Sequence, residues 1–287
     1  MFRSLTIFVC LMAASAFGQK QAIIWTPQEK VIAARVQALR QVPDEKRGSV
    51  TKELAGLIAK LPPAANKLTL ASSLANLATE GDFGQEALQA VAGTLAGTLR
   101  EQAAVSKEGM PEEPWLALAQ LIRYEHVQLP PDAVTASLLN TAMARLQSED
   151  QRRQTADFTL TDLQGRSWTL RQLRGKVVLV NFWDTQCPPC ARQMPDLESL
   201  YQQFNAQGLV ILAISDEDAA KVKPFMAQTK VSYPVLLDPG GKANRAFAVE
   251  GFPKSFVYDR EGKLVAQAMD RRTRGQFLEM LDKAGLR

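Results

Sequence analysis

Two cysteines three residues apart, Cys187 and Cys190, enclose Pro188 and Pro189 in the stretch NFWDTQCPPC, and no other residues of the chain are so well suited to chemistry. Thiols at that spacing can hold half of a metal site, close a small structural loop, or cycle between dithiol and disulfide. The preceding KVVLVNF has the β-branched character of a strand buried on both faces, and helical periodicity begins after Pro188, through Met194, Leu197, Leu200, Tyr201 and Phe204. Cys187 is therefore expected where a helix starts, facing unpaired backbone N–H groups and the positive end of the helix dipole. A thiol with a pKa of about 8.5 is only ~3% ionised at pH 7, whereas lowering that value to about 7 makes it ~50% thiolate, for roughly 2 kcal/mol of differential stabilisation. Cys187 then attacks a partner disulfide, and Cys190, one turn on, resolves the mixed disulfide. Pro188 and Pro189 stiffen the turn and remove two N–H donors.

Other readings of the pair find less support. Structural zinc needs four ligands, and beyond the pair the chain offers one histidine, His126, far away in RYEHV and expected on a surface or half-buried helix. A copper-delivery site would need a histidine after the cysteines, and none follows. No metal and no cofactor is expected. A disulfide across so small a loop would constrain the unfolded chain little. Among the carboxylates, Asp184 lies close enough in sequence to exchange a proton with Cys187. Asp216, Glu217 and Asp218 follow a strand and precede a helix, where their charge complements the helix N-terminus.

At 287 residues and 46% hydrophobic content, the chain has room for two domains, each with its own core. The net charge of +4 comes from 34 basic and 30 acidic residues that are interspersed, which excludes a dedicated nucleic-acid surface. Arg271, Arg272 and Arg274 form the densest basic run and are expected as a solvated strand-to-helix turn. Met1, Arg3, the apolar run 5–17 and Ala16-Phe17-Gly18 read as an export signal over residues 1–18, whose removal takes Cys10 with it. The run is shorter than the ~20 residues of a membrane-spanning helix, so an exported chain is expected, with an N-terminal membrane tether only if the signal stays uncleaved.

Residues 19–150 are rich in Ala, Leu and Gln with helical periodicity. Thr26-Pro27 opens a helix, and Pro43, Pro62-Pro63, the 81–84 glycines, the 111–114 prolines and Pro130-Pro131 divide the region into five or six helices, an all-α domain whose function is not legible. The polar stretch SEDQRRQT, 148–155, is expected to be the linker. Over 151–287, strands are expected at 157–160, 167–170, 176–182, 209–215, 234–237, 254–258 and 264–268. Helices are expected from Pro188 to the glycine at 208, at 218–228, near 243–247 and at 274–283. That alternation implies an α/β sandwich with a mixed sheet.

The segments LRGKVVLVNFW, CPPC, MPDLESL and GFPKSFVYDREGK resemble the TlpA/ResA-like branch of the thioredoxin superfamily, exported thiol-disulfide oxidoreductases, over roughly 154–287. The resemblance implies a thioredoxin-like fold, a central mixed sheet flanked by helices, with Cys187 and Cys190 as a redox-active disulfide. It implies a cis peptide before Pro253, packed against the cysteines, with Phe252 contacting substrate. Trp183, Asp184, Pro188 and Pro189 would support the dithiol, and Asn181 takes the strand position of thioredoxin's buried acid. Implied partners are protein thiols and disulfides, such as those of apocytochromes, with reduction the favoured direction and electrons relayed from a membrane-linked donor. Nothing in the residues speaks to oligomeric state.

The sequence departs from the family at Gln186, where Trp is usual, and at Asp184, where a small residue is usual, so the aromatic lid over the dithiol is missing. Two other functions compete with thiol exchange. A peroxiredoxin-like peroxidase shares much of the fold, but Val180 and Asp184 stand at the Pro and Thr/Ser positions of its reactive motif. A non-catalytic protein would bind its partner through the helical domain and use the other as scaffold.

Overall fold

The computed structural model describes residues 23–101, 113–130 and 136–287. The expected export signal lies outside them. Among the described residues no helix is long and apolar enough to cross a membrane.

The N-terminal half is helical: α1 (Pro27–Gln37), α2 (Asp44–Ala59), α3 (Ala65–Ala78), α4 (Gln85–Glu101), α5 (Glu113–Tyr124) and α6 (Ala136–Thr155). Thr26 caps α1 as its composition suggests, and reciprocally: its hydroxyl accepts from the Glu29 N–H at 3.3 Å while the Glu29 carboxylate accepts from the Thr26 N–H at 2.8 Å. Leu54, Ile58, Leu74, Leu95, Trp115, Leu118 and Leu146 share one buried core. Gly48 lets α2 approach the turn after α3, since a Cβ there would lie 2.3 Å from the Phe83 carbonyl oxygen. His126 falls beyond the end of α5, exposed and in the left-handed region with φ 55°, rather than on a helix.

The C-terminal half has the thioredoxin-like fold. Its elements are β1 (Thr159–Asp162), β2 (Ser167–Thr169), β3 (Val177–Phe182), α7 (Pro188–Phe204), β4 (Leu209–Ser215), α8 (Ala219–Thr229), β5 (Val235–Leu237), α9 (Lys242–Ala246), β6 (Lys254–Tyr258), β7 (Leu264–Ala268) and α10 (Arg274–Lys283). They build one sheet in the order β2-β1-β5-β4-β3-β6-β7. Strand β3 runs parallel to β4 and antiparallel to β6, so it is hydrogen-bonded on both sides. Its residues alternate between two apolar layers: Val177 and Leu179 pack with Met194, Leu197 and Leu200 of α7, whereas Val178, Val180 and Phe182 pack with Phe247 and Phe256. Burial on both faces explains the apolar run over residues 177–180. Strand β1 starts two residues later than expected. The Asp157 carboxylate accepts from the Phe158 N–H at 3.0 Å and the Arg171 N–H at 3.1 Å, which draws this segment out of the ladder.

Two expectations fail where the halves meet. Residues 148–155 are not a linker but the last two turns of α6. Their polarity is spent on internal partners, chiefly around Arg153, whose side chain is only 2% exposed. Its guanidinium donates to the Phe247 carbonyl at 2.9 Å, the Gln267 side chain at 3.3 Å and the carboxylates of Glu149 and Asp150 at 3.0 and 3.1 Å. It also lies 5.3 Å from the centre of the Phe256 ring.

Nor is the basic run solvated, because Arg271 and Arg272 are buried at the strand-to-helix turn. Arg271 pairs with Asp44 at 3.2 Å and Arg272 pairs closely with Glu125. Next to them the Thr79 hydroxyl donates to Asp270. Their acids lie 227 and 147 residues away in the chain, so local sequence could not disclose them. Further along the seam Arg145 holds Glu250 at 2.8 Å and Arg152 donates to the Arg245 carbonyl at 2.5 Å.

Removing the guanidinium of Arg153 strands buried acceptors on both sides of this seam. Arg153→Ala is expected to cost about 3–5 kcal/mol of stability in urea unfolding followed by circular dichroism, with Arg153→Lys recovering little because it lacks the planar fork. A loss below about 1 kcal/mol would show the network to be dispensable.

Candidate functional site

The dithiol sits where β3 hands the chain to α7. Past Phe182 the ladder continues for one residue, the Trp183 N–H donating to the Ile214 carbonyl at 3.0 Å. Trp183 is fully buried, its ring 5.5 Å from that of Phe225, so it fills the layer beneath the loop rather than covering the cysteines. Asp184 to Gln186 then turn sharply. The Asp184 carboxylate accepts from the Gln186 N–H at 2.8 Å and so serves as a turn residue. Thr185 donates through its N–H and its hydroxyl to Glu217, at 2.7 and 3.0 Å. Glu217 therefore reaches across from the end of β4 to fix the approach to the first cysteine, while Asp218 takes the cap position of α8 without a side-chain bond. Asp216 accepts from the Asn244 side chain at 3.0 Å, and burial pushes its carboxyl above the usual range, with the charges of Asp184, Asp238 and Glu217 adding to the effect.

Cys187 is the N-cap of α7, and Pro188 and Pro189 are its first two helical residues. A helix start carries four backbone N–H groups without intrahelical partners. Two are removed here by proline, and the Cys190 N–H is left to donate to the Cys187 sulfur at 3.2 Å, while the Ala191 N–H opens the helical ladder on the Cys187 carbonyl at 3.1 Å. The two sulfurs are joined as a disulfide, with the Cα atoms 5.2 Å apart. Their surroundings differ: Cys190 is fully buried against Met194 and Leu197, whereas Cys187 is partly open to solvent beside the exposed Gln186 and Pro188. No aromatic residue stands at position 186 to cover them.

The second rim of the site is the segment before β6. The Phe252–Pro253 peptide is cis, Pro253 is buried, and the half-buried Phe252 packs against the same apolar layer as Cys187. Asn181, on β3, donates through its amide to the Ser255 hydroxyl at 3.0 Å and to the Lys254 carbonyl at 3.3 Å, tying this segment to the strand that leads to the cysteines. The ammonium of Lys254 donates to the Met269 carbonyl at 2.6 Å, and burial lowers its pKa. Burial likewise pushes the neighbouring Asp270 up to about 6, against the pull of Lys254.

Cys187, Cys190, Trp183, Asp184, Pro188, Pro189, Phe252 and Pro253 thus form one surface region or the layer directly beneath it. Three contributors escaped sequence reasoning. Glu217 looked like any acid before a helix, because its partner Thr185 is 32 residues away in the chain. Ser255 has no pattern of its own. Gln193 did carry a signal: it follows Cys190 by three residues, so it lies on the apolar face of α7, and it is fully buried with its Oε1 3.5 Å from the Arg272 N–H. Its Nε2 has no partner among the described residues.

Comparison with known proteins agrees with this geometry. A family model described as the AhpC/TSA family matches residues 152–267. Over 128 residues the chain is 36% identical to the thiol-disulfide oxidoreductase ResA of Bacillus thuringiensis subsp. konkukian (strain 97-27), an alignment spanning 44% of this chain and 74% of that protein. The ResA of Bacillus anthracis is 38% identical over the same length, with the same coverage. Among solved structures, a putative thiol:disulfide interchange protein DsbE from Chlorobium tepidum is 28% identical and covers 45% of this chain and 93% of its own, with a TM-score of 0.43. The matched region is the C-terminal half, and through it the chain belongs to the ResA family of thiol-disulfide oxidoreductases.

Proposed function

We propose that this chain is an exported reductant that exchanges its CPPC dithiol with cysteine pairs of other extracytoplasmic proteins, apocytochromes c among them. The observation that carries the reading is the asymmetry of the pair. Cys187 is reachable from solvent and receives the Cys190 N–H, which stabilises a sulfur anion; Cys190 is fully buried and bonded to it. In the forward direction the Cys187 thiolate attacks one sulfur of a client disulfide, and the displaced client sulfur takes up a proton. Cys190, losing its own proton, then attacks the Cys187 sulfur, so the client leaves as a dithiol and the protein keeps the disulfide. Two electrons and two protons from a membrane-linked donor restore the starting state. The client chain lies against Phe252, which packs against the same apolar layer as Cys187, and the adjoining Pro253.

The AhpC/TSA match favours a second reading, a peroxidase. Here the reactive cysteine would pass through a sulfenic acid, and the site offers it Asp184 committed to the Gln186 N–H and Val180 fully buried in β3. Hydrogen peroxide consumption by the reduced chain with a thiol donor separates the two. A binding protein that merely uses the fold as scaffold would keep its partner when both cysteines become serine.

Cys190→Ser is expected to accumulate a mixed disulfide with its client through Cys187, stable to gel electrophoresis without reductant and identifiable by mass spectrometry, whereas Cys187→Ser forms none. Capture by both variants, or by neither, would contradict the assignment of attacking and resolving sulfurs. A redox titration of the full chain is expected nearer to about −270 mV, the range of a reductant, than to about −120 mV, that of an oxidant.

A further inference from the structure

Both oxygens of one carboxylate are spent on the loop that delivers the first cysteine. Strands β3 and β4 run parallel with Phe182 opposite Ile214, so the residues three further along each strand, Thr185 and Glu217, emerge side by side. Glu217 Oε2 accepts from the Thr185 N–H at 2.7 Å and Oε1 from the Thr185 hydroxyl at 3.0 Å. Its own N–H donates to the hydroxyl of the fully buried Ser215 at 3.2 Å, which fixes it to the end of β4. The Glu217 side chain is 12% exposed, and Lys221, 3.8 Å away, has a side chain that is 63% exposed. An exposed cation at that distance offsets little of the carboxylate's charge.

Thr185 precedes Cys187 by two residues, a span of at most about 7 Å, so the Glu217 charge lies on the order of 10 Å from the first cysteine. The other charges of the loop and of the end of β4 have the same sign: Asp184, whose carboxylate holds the Gln186 N–H, and Asp216 and Asp218, which flank Glu217. On the neighbouring elements stand Lys221 of α8, the exposed Arg192 of α7, Lys254, whose ammonium is turned onto the Met269 carbonyl, and Glu250, which is paired with Arg145. A negative charge held in the loop raises the cost of a thiolate on Cys187, against the Cys190 N–H, which lowers it. The helix start and the carboxylate thus pull one sulfur in opposite directions. The disulfide is uncharged, so the carboxylate destabilises only the reduced, ionised form. A couple whose reduced form is less stable is the stronger reductant.

We propose that Glu217 sets the redox poise of the pair: it anchors the loop before Cys187 and, through its charge, limits how far the helix start stabilises the thiolate, so that the chain stays a reductant. Glu217 does not touch sulfur and is a positioning residue. The proposal rests on the thiol-exchange reading above. In exchange with glutathione, the protein disulfide and two glutathione thiols give the protein dithiol and one glutathione disulfide. Two electrons pass to the protein, and the two protons given up by glutathione go to the sulfurs of Cys187 and Cys190. Above its midpoint Cys187 then releases its proton to water, and this ionisation is the step on which the Glu217 charge acts.

The test compares the full chain with Glu217→Gln, which removes the charge and keeps an amide oxygen for the Thr185 N–H. Two quantities are read: the pH midpoint of Cys187 alkylation in the reduced chain, and the equilibrium constant with glutathione at pH 8. In Glu217→Gln the midpoint is expected to fall by about half a unit, the size of one charge on the order of 10 Å away in a medium between protein and water. The equilibrium is expected to shift about threefold toward the dithiol, or about 15 mV less reducing at 29.6 mV per tenfold. Glu217→Asp, which restores the charge, and Thr185→Val, which removes only the hydroxyl bond, are both expected to keep the wild-type midpoint. Lys221→Glu, an exposed change that leaves the Thr185 bonds in place, is expected to raise it, and this variant decides the matter if Glu217→Gln does not fold. A midpoint that rises or stays put in Glu217→Gln, or one that falls or stays put in Lys221→Glu, overturns the proposal. Equal falls in Glu217→Gln and Thr185→Val would reduce Glu217 to an anchor and also overturn it. Failure of the wild type to equilibrate with glutathione overturns the exchange reading and this proposal with it, whereas equilibration with one constant for wild type and Glu217→Gln overturns this proposal alone.

Discussion

A single backbone N–H, that of Cys190, donating to the sulfur of Cys187 is the contact on which the rest of the site depends. It exists because Cys187 caps α7 and because two prolines fill the first helical positions, leaving few other donors at the helix start to engage a ligand. It also marks the asymmetry of the pair. The sulfur that receives the donor is the one open to solvent, and the sulfur belonging to the donor's residue is buried behind it. The supporting framework serves that geometry from two sides. Glu217 holds the Thr185 loop from the end of β4, and Asn181 ties β3 to the segment after Pro253. Neither residue touches sulfur, yet each limits how far one rim of the site can drift from the other.

The helical half is bound to this framework through charge rather than through a shared apolar core. Arg153 of α6 reaches the Phe247 carbonyl and Gln267, while Arg271 and Arg272 reach back to Asp44 and Glu125. Buried ionic contacts of this sort are sensitive to geometry, since each charge left without its partner carries a desolvation cost. Other contacts join the halves nearby: Arg145 of α6 pairs with the exposed Glu250, two residues before Phe252, and the Thr79 hydroxyl bonds Asp270, next to Met269, whose carbonyl anchors Lys254. The helical half is in this way joined to the segment that leads to Phe252.

Much of this was legible from residue types. The β-branched, mostly apolar run of β3 indicated a strand covered on both faces, and β4, β6, β7 and α10 occupy the residues their patterns indicate. The two cysteines are joined across the prolines, and Phe252, before the cis peptide to Pro253, packs against the same apolar layer as Cys187. What stayed hidden were interactions between distant segments. SEDQRRQT reads as a linker because every side chain is polar, and it is helical and partly buried with Arg153 donating to the Phe247 carbonyl, 94 positions away. Arg271 and Arg272 look solvated for the same reason. Glu217 could not be told from its neighbours Asp216 and Asp218 until β4 was placed beside β3, which brings the carboxylate to Thr185.

The central claim is that the start of α7 holds the Cys187 sulfur ready as an anion. It is tested most directly by the rate at which the reduced chain is alkylated by iodoacetamide as a function of pH, with the modified cysteine assigned by peptide mass spectrometry. The account predicts a midpoint for Cys187 at least one unit below the ordinary thiol value of about 8.5, with Cys190 largely spared. A midpoint at or above that ordinary value, or faster modification of Cys190 than of Cys187, would contradict it.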